Sequence, residues 1–155
     1  MITPEQVGER YLAVHHRMFR AVNDEMAGSG LSVARTKVLR RLCEQGPTRQ
    51  SVLATNCALS PHSITDIVDG LERLGLAERR PDPVDRRAKL VAITDAGRTA
   101  LDVANATWER LLTQIFGSLS DADRETLLRL LGSLDEAAQQ LIAASAAAGA
   151  PAVPA

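Results

Sequence analysis

The stretch AERRPDPVDRRAKLVAIT, residues 77–94, decides how the chain folds. Leu76 to Arg80 and Ala88 to Ile93 are short enough for strands, and the turn-forming PDPVD between them predicts a β-hairpin with an exposed tip. Five basic residues, Arg79, Arg80, Arg86, Arg87 and Lys89, stand around that tip against Asp82 and Asp85. Folding alone does not require such a concentration of charge, whereas a polyanionic partner does. Guanidinium groups on a narrow loop suit a DNA minor groove, where negative potential is concentrated, and Arg79, Arg80 and Lys89 suit phosphate. An exposed acid would repel the same partner, so Asp85 is expected to brace Arg86 or Arg87 by a charge-assisted hydrogen bond.

Upstream of the hairpin the apolar spacing is helical. Val7, Tyr11, Val14, Met18, Val22 and Met26 recur every three or four positions and predict an amphipathic helix from Pro4 to about Met26, stopped by AGSG. Ser32 is a plausible N-cap for a second helix with Val38, Leu39 and Leu42 inward, ending at EQGP. Thr48 is expected to cap a short helix from about Arg49 to Asn56 that turns Val52, Leu53 and Cys57 inward. Ser60-Pro61 then reads as N-cap and N1 of another, with Ile64, Ile67, Val68, Leu71 and Leu74 inward and Gly75 as its stop. Two helices joined tightly, the second exposing His62, Ser63 and Asp66, form a helix-turn-helix candidate whose second member fits the roughly 12 Å major groove. Downstream, Thr94 caps a long helix carrying Leu101, Ala104, Trp108, Leu111, Leu112 and Ile115. Ser120 with Asp123 opens a last one with Leu127, Leu130, Leu131, Leu134, Ala138 and Leu141 in its stripe.

Composition bounds the alternatives. The 155 residues carry 45% hydrophobic but only 3% aromatic side chains, which favours helix packed on helix. The net charge of −1 hides an asymmetry: residues 31–98 hold 12 Lys+Arg against 8 Asp+Glu, leaving 6 basic and 11 acidic residues for both ends. No apolar run is long enough to span a membrane, and MITPEQVGER places charges where a secretory signal needs apolar residues, so a soluble, cytoplasmic chain is expected. Cys43 and Cys57 form neither a CxxC nor a Cys/His cluster, and both are expected to be buried small hydrophobes; no metal and no cofactor is expected. His15, His16 and His62 have no neighbouring nucleophile motif and there is no glycine-rich phosphate loop, so nothing supports an enzyme.

Residues 46–97, GPTRQSVLATNCALSPHSITDIVDGLERLGLAERRPDPVDRRAKLVAITDAG, resemble the winged helix-turn-helix core of MarR-type bacterial transcriptional regulators. The ordered landmarks are Gly46-Pro47, Gln50, Leu53-Ala54, Leu59-Ser60-Pro61, Thr65, Val68-Asp69, Leu71-Glu72, Gly75-Leu76, Asp85-Arg86-Arg87 and Thr94 to Gly97. The resemblance implies a mostly α fold with a small β-hairpin wing. Residues 31–97 form the DNA-binding region, 1–28 and 98–146 form dimerisation helices, and 147–155 is a disordered tail. It implies a homodimer on double-stranded DNA, a repressor on a pseudopalindromic operator, with Ser60, His62, Ser63 and Thr65 facing the major groove. It likewise makes Asp85 the wing's bracing acid and Arg86 or Arg87 the minor-groove arginine. One departure stands out: Asp66 follows Thr65 where many members carry Arg, and a carboxylate there would repel phosphate or accept from cytosine N4.

Small-molecule control is common in that family, at a pocket between the dimer helices and the DNA-binding lobe. Tyr11, His15 and Phe19, at i, i+4 and i+8, with His16 alongside, either line such a pocket or are packed core and interface side chains. Redox sensing through the cysteines is the weaker idea, since a buried thiol lacks the positive surroundings that make thiolate. The competing function is a protein-interaction module that keeps the fold without DNA binding, with Asp66 as its main support.

Overall fold

A computed structural model describes residues 1–85 and 87–147; Arg86 and residues 148–155, which carry most of the expected tail, lie outside them. Six helices and three short strands follow in the order α1 (Pro4–Met26), α2 (Val33–Gln45), β1 (Thr48–Arg49), α3 (Gln50–Cys57), α4 (Pro61–Arg73), β2 (Ala77–Pro81), β3 (Lys89–Ile93), α5 (Asp95–Phe116) and α6 (Asp121–Ala147). They divide into one compact unit, Met1–Leu111, and a second beginning at Leu112.

Helix starts follow the capping chemistry. Thr3 and Gln6 form a reciprocal capping box with Pro4 at the first helical position, the Ser32 side chain accepts from the Arg35 N–H, and Ser60 accepts from the Ser63 N–H with Pro61 next. Ser120 Oγ accepts from the Asp123 N–H at 3.2 Å. Thr48 is different from expectation: it pairs with Val91 in β1, and the N-cap of α3 is Arg49, which makes no side-chain cap bond. A two-residue strand has no alternation to detect, so the sheet is three-stranded, antiparallel and ordered β1-β3-β2, where a simple hairpin was predicted. Register runs from Ala77 opposite Ile93 to Pro81 opposite Lys89.

The core belongs to the helix-turn-helix and its sheet. Leu39, Leu42, Leu53, Ile64, Leu71, Val38, Val68 and Val91 are fully buried, each such side chain stabilising by about 1.5–3 kcal/mol relative to exposure. From α1 only Val22 and Met26 are buried, and Val7, Tyr11 and Val14 stay exposed, so most of the predicted stripe of α1 is uncovered among the described residues. Val52 and Leu74 are also exposed, at 45% and 44%, against the inward placement expected from spacing. Helix α3 has only two turns, too few for periodicity to separate face from flank. Leu74 lies past the end of α4, where it covers Gly30, whose left-handed φ of 71° closes the turn after α1.

The cysteines separate. Cys57 is buried, and desolvation pushes its thiol up despite the opposing charges of Lys37 and Arg41. Cys43 is exposed, contrary to expectation, with Arg98 Nη1 3.3 Å from its sulfur. It sits on α2 beyond the buried ridge of Val38, Leu39 and Leu42.

The start of α5 is pinned to the hairpin. Thr94 Oγ1 donates to the Gly75 carbonyl at 2.7 Å and accepts from the Gly97 N–H at 3.0 Å, and the Thr94 N–H donates to the Leu76 carbonyl at 3.1 Å. Helix and hairpin are so close that a Cβ on Gly97 would stand 2.0 Å from the Leu76 carbonyl oxygen. Gly97→Ala is therefore expected to lower unfolding free energy by about 2–4 kcal/mol, as overpacking against backbone does. Urea denaturation checks this, and a variant as stable as the parent contradicts the packing described.

Candidate nucleic-acid interface

Helix α4 is two-faced because its apolar residues fall on one side. Ile64, Val68 and Leu71 are buried, and a 3.6-residue turn puts His62, Asp66, Asp69 and Arg73 on the opposite ridge. Its first turn is fixed locally: Ser60 Oγ lies 2.8 Å from Ser63 Oγ and 3.1 Å from the Ser63 nitrogen. At the crossing of α2 over α4 the Arg35 guanidinium, bonded to the Gly30 carbonyl, lies over Gly70, where a Cβ would come within 2.6 Å of it.

A hydrogen-bonded ladder joins α3, α4 and β2. Arg79 Nη2 donates to Asp69 Oδ1 at 2.7 Å and to Gln50 Oε1 at 3.0 Å, Nη1 pairs with Glu72, and the Arg79 N–H donates to Glu72 Oε1 at 2.8 Å. Gln50 Nε2 in turn donates to Thr65 Oγ1 at 2.7 Å, and that hydroxyl donates to the Pro61 carbonyl at 2.8 Å. Two expected contacts are thereby reassigned. Arg79, whose side chain is only 23% exposed, is engaged by two carboxylates instead of being presented to phosphate. The Thr65 hydroxyl is spent inside the fold instead of facing a base.

The wing is braced by a second clamp where its loop leaves β2. Asp82 is buried; its Oδ2 accepts from Arg49 Nε at 3.0 Å and Nη2 at 2.8 Å, and its Oδ1 accepts from the Val84 N–H at 2.8 Å. Those backbone and guanidinium donors hold the Asp82 carboxyl below its ordinary pKa. Asp85 secures the turn's main chain: its Oδ1 accepts from the Arg87 backbone N–H at 3.1 Å, and its Oδ2 lies 3.6 Å from Arg49 Nη2. The expected brace of Arg86 by Asp85 falls on a residue outside those described. Arg87 and Lys89 are exposed, as is Arg80, which pairs with its neighbour Glu78. Arg86 is outside the described residues.

Sequence reasoning passed over Arg49, Gln50, Asp69, Glu72 and Asp82 as interface-building residues. The signal available was that each lies in or beside the landmark segments, but their pairing depends on tertiary proximity: Arg49 and Asp82 are separated by 33 positions.

The residues expected to line an effector pocket are split. Tyr11 stacks on His15 with ring centroids 6.2 Å apart, and His15 meets Phe19 at 5.7 Å. His15, His16 and Phe19 line a shallow hollow with Arg20 and Asn23, whereas Tyr11 borders a separate one nearer the N-terminus. A different cavity, of about 380 Å³, lies among Met26, Val33, Thr36, Lys37, Arg40 and Trp108, combining apolar walls with cationic rims. Among the described residues no helix is long and apolar enough to cross a membrane, and no group of three His, Cys, Asp or Glu could hold a metal ion.

Comparison with known proteins places this geometry. The model of the MarR family matches residues 31–89, the span from α2 to the first residue of β3. The structure of CouR from Rhodococcus jostii RHA1, bound to p-coumaroyl-CoA, is 33% identical with a TM-score of 0.66, over 83% of this chain and 90% of that one. A MarR-family transcriptional regulator from Rhodococcus sp. RHA1 is 30% identical with a TM-score of 0.70, over 86% of this chain and 96% of that one. The HTH-type transcriptional repressor NicR of Pseudomonas putida is 28% identical over 127 residues, 82% of this chain and 80% of its own. With a helix-turn-helix, a three-stranded wing and this identity over nearly the full length of solved relatives, the chain belongs to the MarR family of transcriptional regulators.

Proposed function

We propose that the chain is a homodimeric, ligand-responsive repressor that acts in the cytoplasm and binds a pseudopalindromic operator in double-stranded DNA. The observation that carries this reading is the Arg79 ladder, which makes the wing and α4 one body with a polar ridge and a cationic tip. In this reading Ser60, His62 and Ser63 face the major groove, while Arg87, with Arg86, meets the minor groove. Arg80 and Lys89 contact phosphate, and Arg79 and Thr65 hold the assembly. Repression is supported by the likeness to NicR, and ligand response by the CouR structure with its bound ligand. The cavity beside Trp108 is the better-formed candidate for an effector, ahead of the hollow at His15, His16 and Phe19. No catalytic role is assigned to any residue.

Dimer formation is supported by apolar surface that the chain itself leaves uncovered. Val7, Tyr11, Leu12, Val14 and Phe19 on α1, and Leu128, Leu130, Leu134, Leu141 and Ile142 on α6, are all exposed. Two such stripes exceed what a monomer ordinarily leaves in water. Sedimentation is expected to show twice the chain mass at micromolar concentration, and Leu130→Lys with Leu134→Lys to shift it to the monomer; a parent chain that sediments as a monomer contradicts the dimer.

Binding to the DNA beside its own gene tests the reading as a whole. Arg87→Ala removes one cation per subunit, so log affinity should fall less steeply with log salt, by roughly 0.9 for each contact and about 1.8 for the dimer. Arg79→Gln should leave that slope unchanged while narrowing the gap between specific and random DNA. An Arg87→Ala variant with parental affinity and slope contradicts the wing's role.

The Asp82 clamp has a pH signature. Because its folded pKa is lowered, its contribution is fully present above the ordinary carboxylate pKa and is lost as pH falls through the lowered folded value. Amide exchange at Val84 and Asp85 should therefore lose protection on acidification in the parent, and be weak and pH-independent, after correction for intrinsic rates, in Asp82→Asn. Equal protection in both proteins rules the clamp out as the wing's anchor.

A further inference from the structure

The outward ridge of α4 carries two acids, Asp66 and Asp69, and a third, Glu72, lies on its flank, which is unfavourable for a helix that enters DNA. The ladder pairs two of them: Asp69 and Glu72 share the single positive charge of Arg79. Asp66 is different. Its side chain is 66% exposed, and its side-chain contact among the described residues is His62, whose Nε2 stands 3.3 Å from Oδ2. At about 100° per residue, Asp66 projects some 160° away from buried Ile64 and Val68, at the crest of the helix and in its second turn. The N-terminal turns of such a helix are the ones that reach base edges.

A carboxylate in that place accepts hydrogen bonds and donates none. Guanine offers it only acceptors in the major groove, and thymine an acceptor and a methyl group. Adenine offers its N6 amino donor beside the N7 acceptor, and cytosine offers the N4 amino donor with no acceptor on the same base edge. Resting on the reading of α4 as the groove-entering helix, we propose that Asp66 is a specificity-determining residue that accepts from cytosine N4 and imposes a C·G pair on each half-site. Desolvation then acts as discrimination: facing guanine or thymine the carboxylate finds no donor, and facing adenine it meets the N7 acceptor beside the N6 donor. His62 is the positioning residue, restricting the carboxylate to one side of the ridge through the Nε2 contact.

The test is selection from random-sequence duplex DNA with the full-length chain, followed by affinity measurements on single-pair variants of the selected site. The parent should select symmetric sites with one C·G pair in each half-site whose replacement weakens binding by roughly 5- to 100-fold per half-site. Asp66→Ala, at an exposed position, should flatten the preference at that pair alone and bind the replaced sites at least as tightly as the parent does. Asp66→Asn should shift the preference there toward adenine, whose N6 and N7 match a carboxamide. His62→Ala should weaken the cytosine preference without redirecting it. The inference is overturned if the preference survives Asp66→Ala, or if that variant binds every site more tightly by one common factor, which would make Asp66 a purely repulsive charge. A parent that selects no sequence removes the DNA-binding reading and this inference together, whereas a selected site with no Asp66-dependent pair removes the inference alone.

Discussion

One guanidinium, that of Arg79, sits between the wing and the helix-turn-helix and bonds to three side chains from two helices. A β-hairpin protruding from a small domain has few buried contacts of its own and would otherwise pivot about its base. Asp69 and Glu72 from α4 and Gln50 from α3 remove that freedom, because the planar, forked donor geometry of arginine fixes direction as well as distance. Lys in its place would supply charge without the fork. The Gln50–Thr65–Pro61 chain of hydrogen bonds continues the constraint into the first turn of α4. The orientation of the helix ridge is therefore set by the same network that orients the wing.

The charge pattern of the middle of the chain follows from this division of labour. Some arginines are structural: Arg35 spans the gap left by Gly70, Arg49 holds Asp82, and Arg79 holds the ladder. Others, Arg80, Arg87 and Lys89, remain at the surface. A count of positive charge around the hairpin overstates the cations available to a phosphate backbone, and the acids of the segment are mostly partners of the structural arginines. Asp66 pairs with no arginine among the described residues, which is why its chemistry matters more than its contribution to net charge.

Much of this was legible in sequence where the physics is local. Caps at Ser32, Ser60 and Ser120, the glycine stop at Gly75 and the apolar spacing of α4 each depend on residues within about one turn. The strand β1 was not legible, because Thr48 and Arg49 become a strand only when β3 is alongside. The same reason hid the roles of Asp82 and Arg79: a Pro-Asp-Pro turn and an arginine beside it read as an exposed tip and a phosphate contact until Arg49 and Asp69 are brought to them by the fold. Leucines on α6 show the converse: periodicity marks an apolar stripe, and Leu128, Leu130, Leu134 and Leu141 are exposed along it.

The central claim is that wing and α4 act on DNA as one rigid element. Methylation interference combined with hydroxyl-radical footprinting on the operator tests it most directly. The account predicts interference at major-groove purines within each half-site. It also predicts minor-groove protection at a fixed offset of about 5 base pairs outward, half a helical turn, in every site the protein binds. Major-groove interference without flanking minor-groove protection, or protection whose offset varies from site to site, would contradict it.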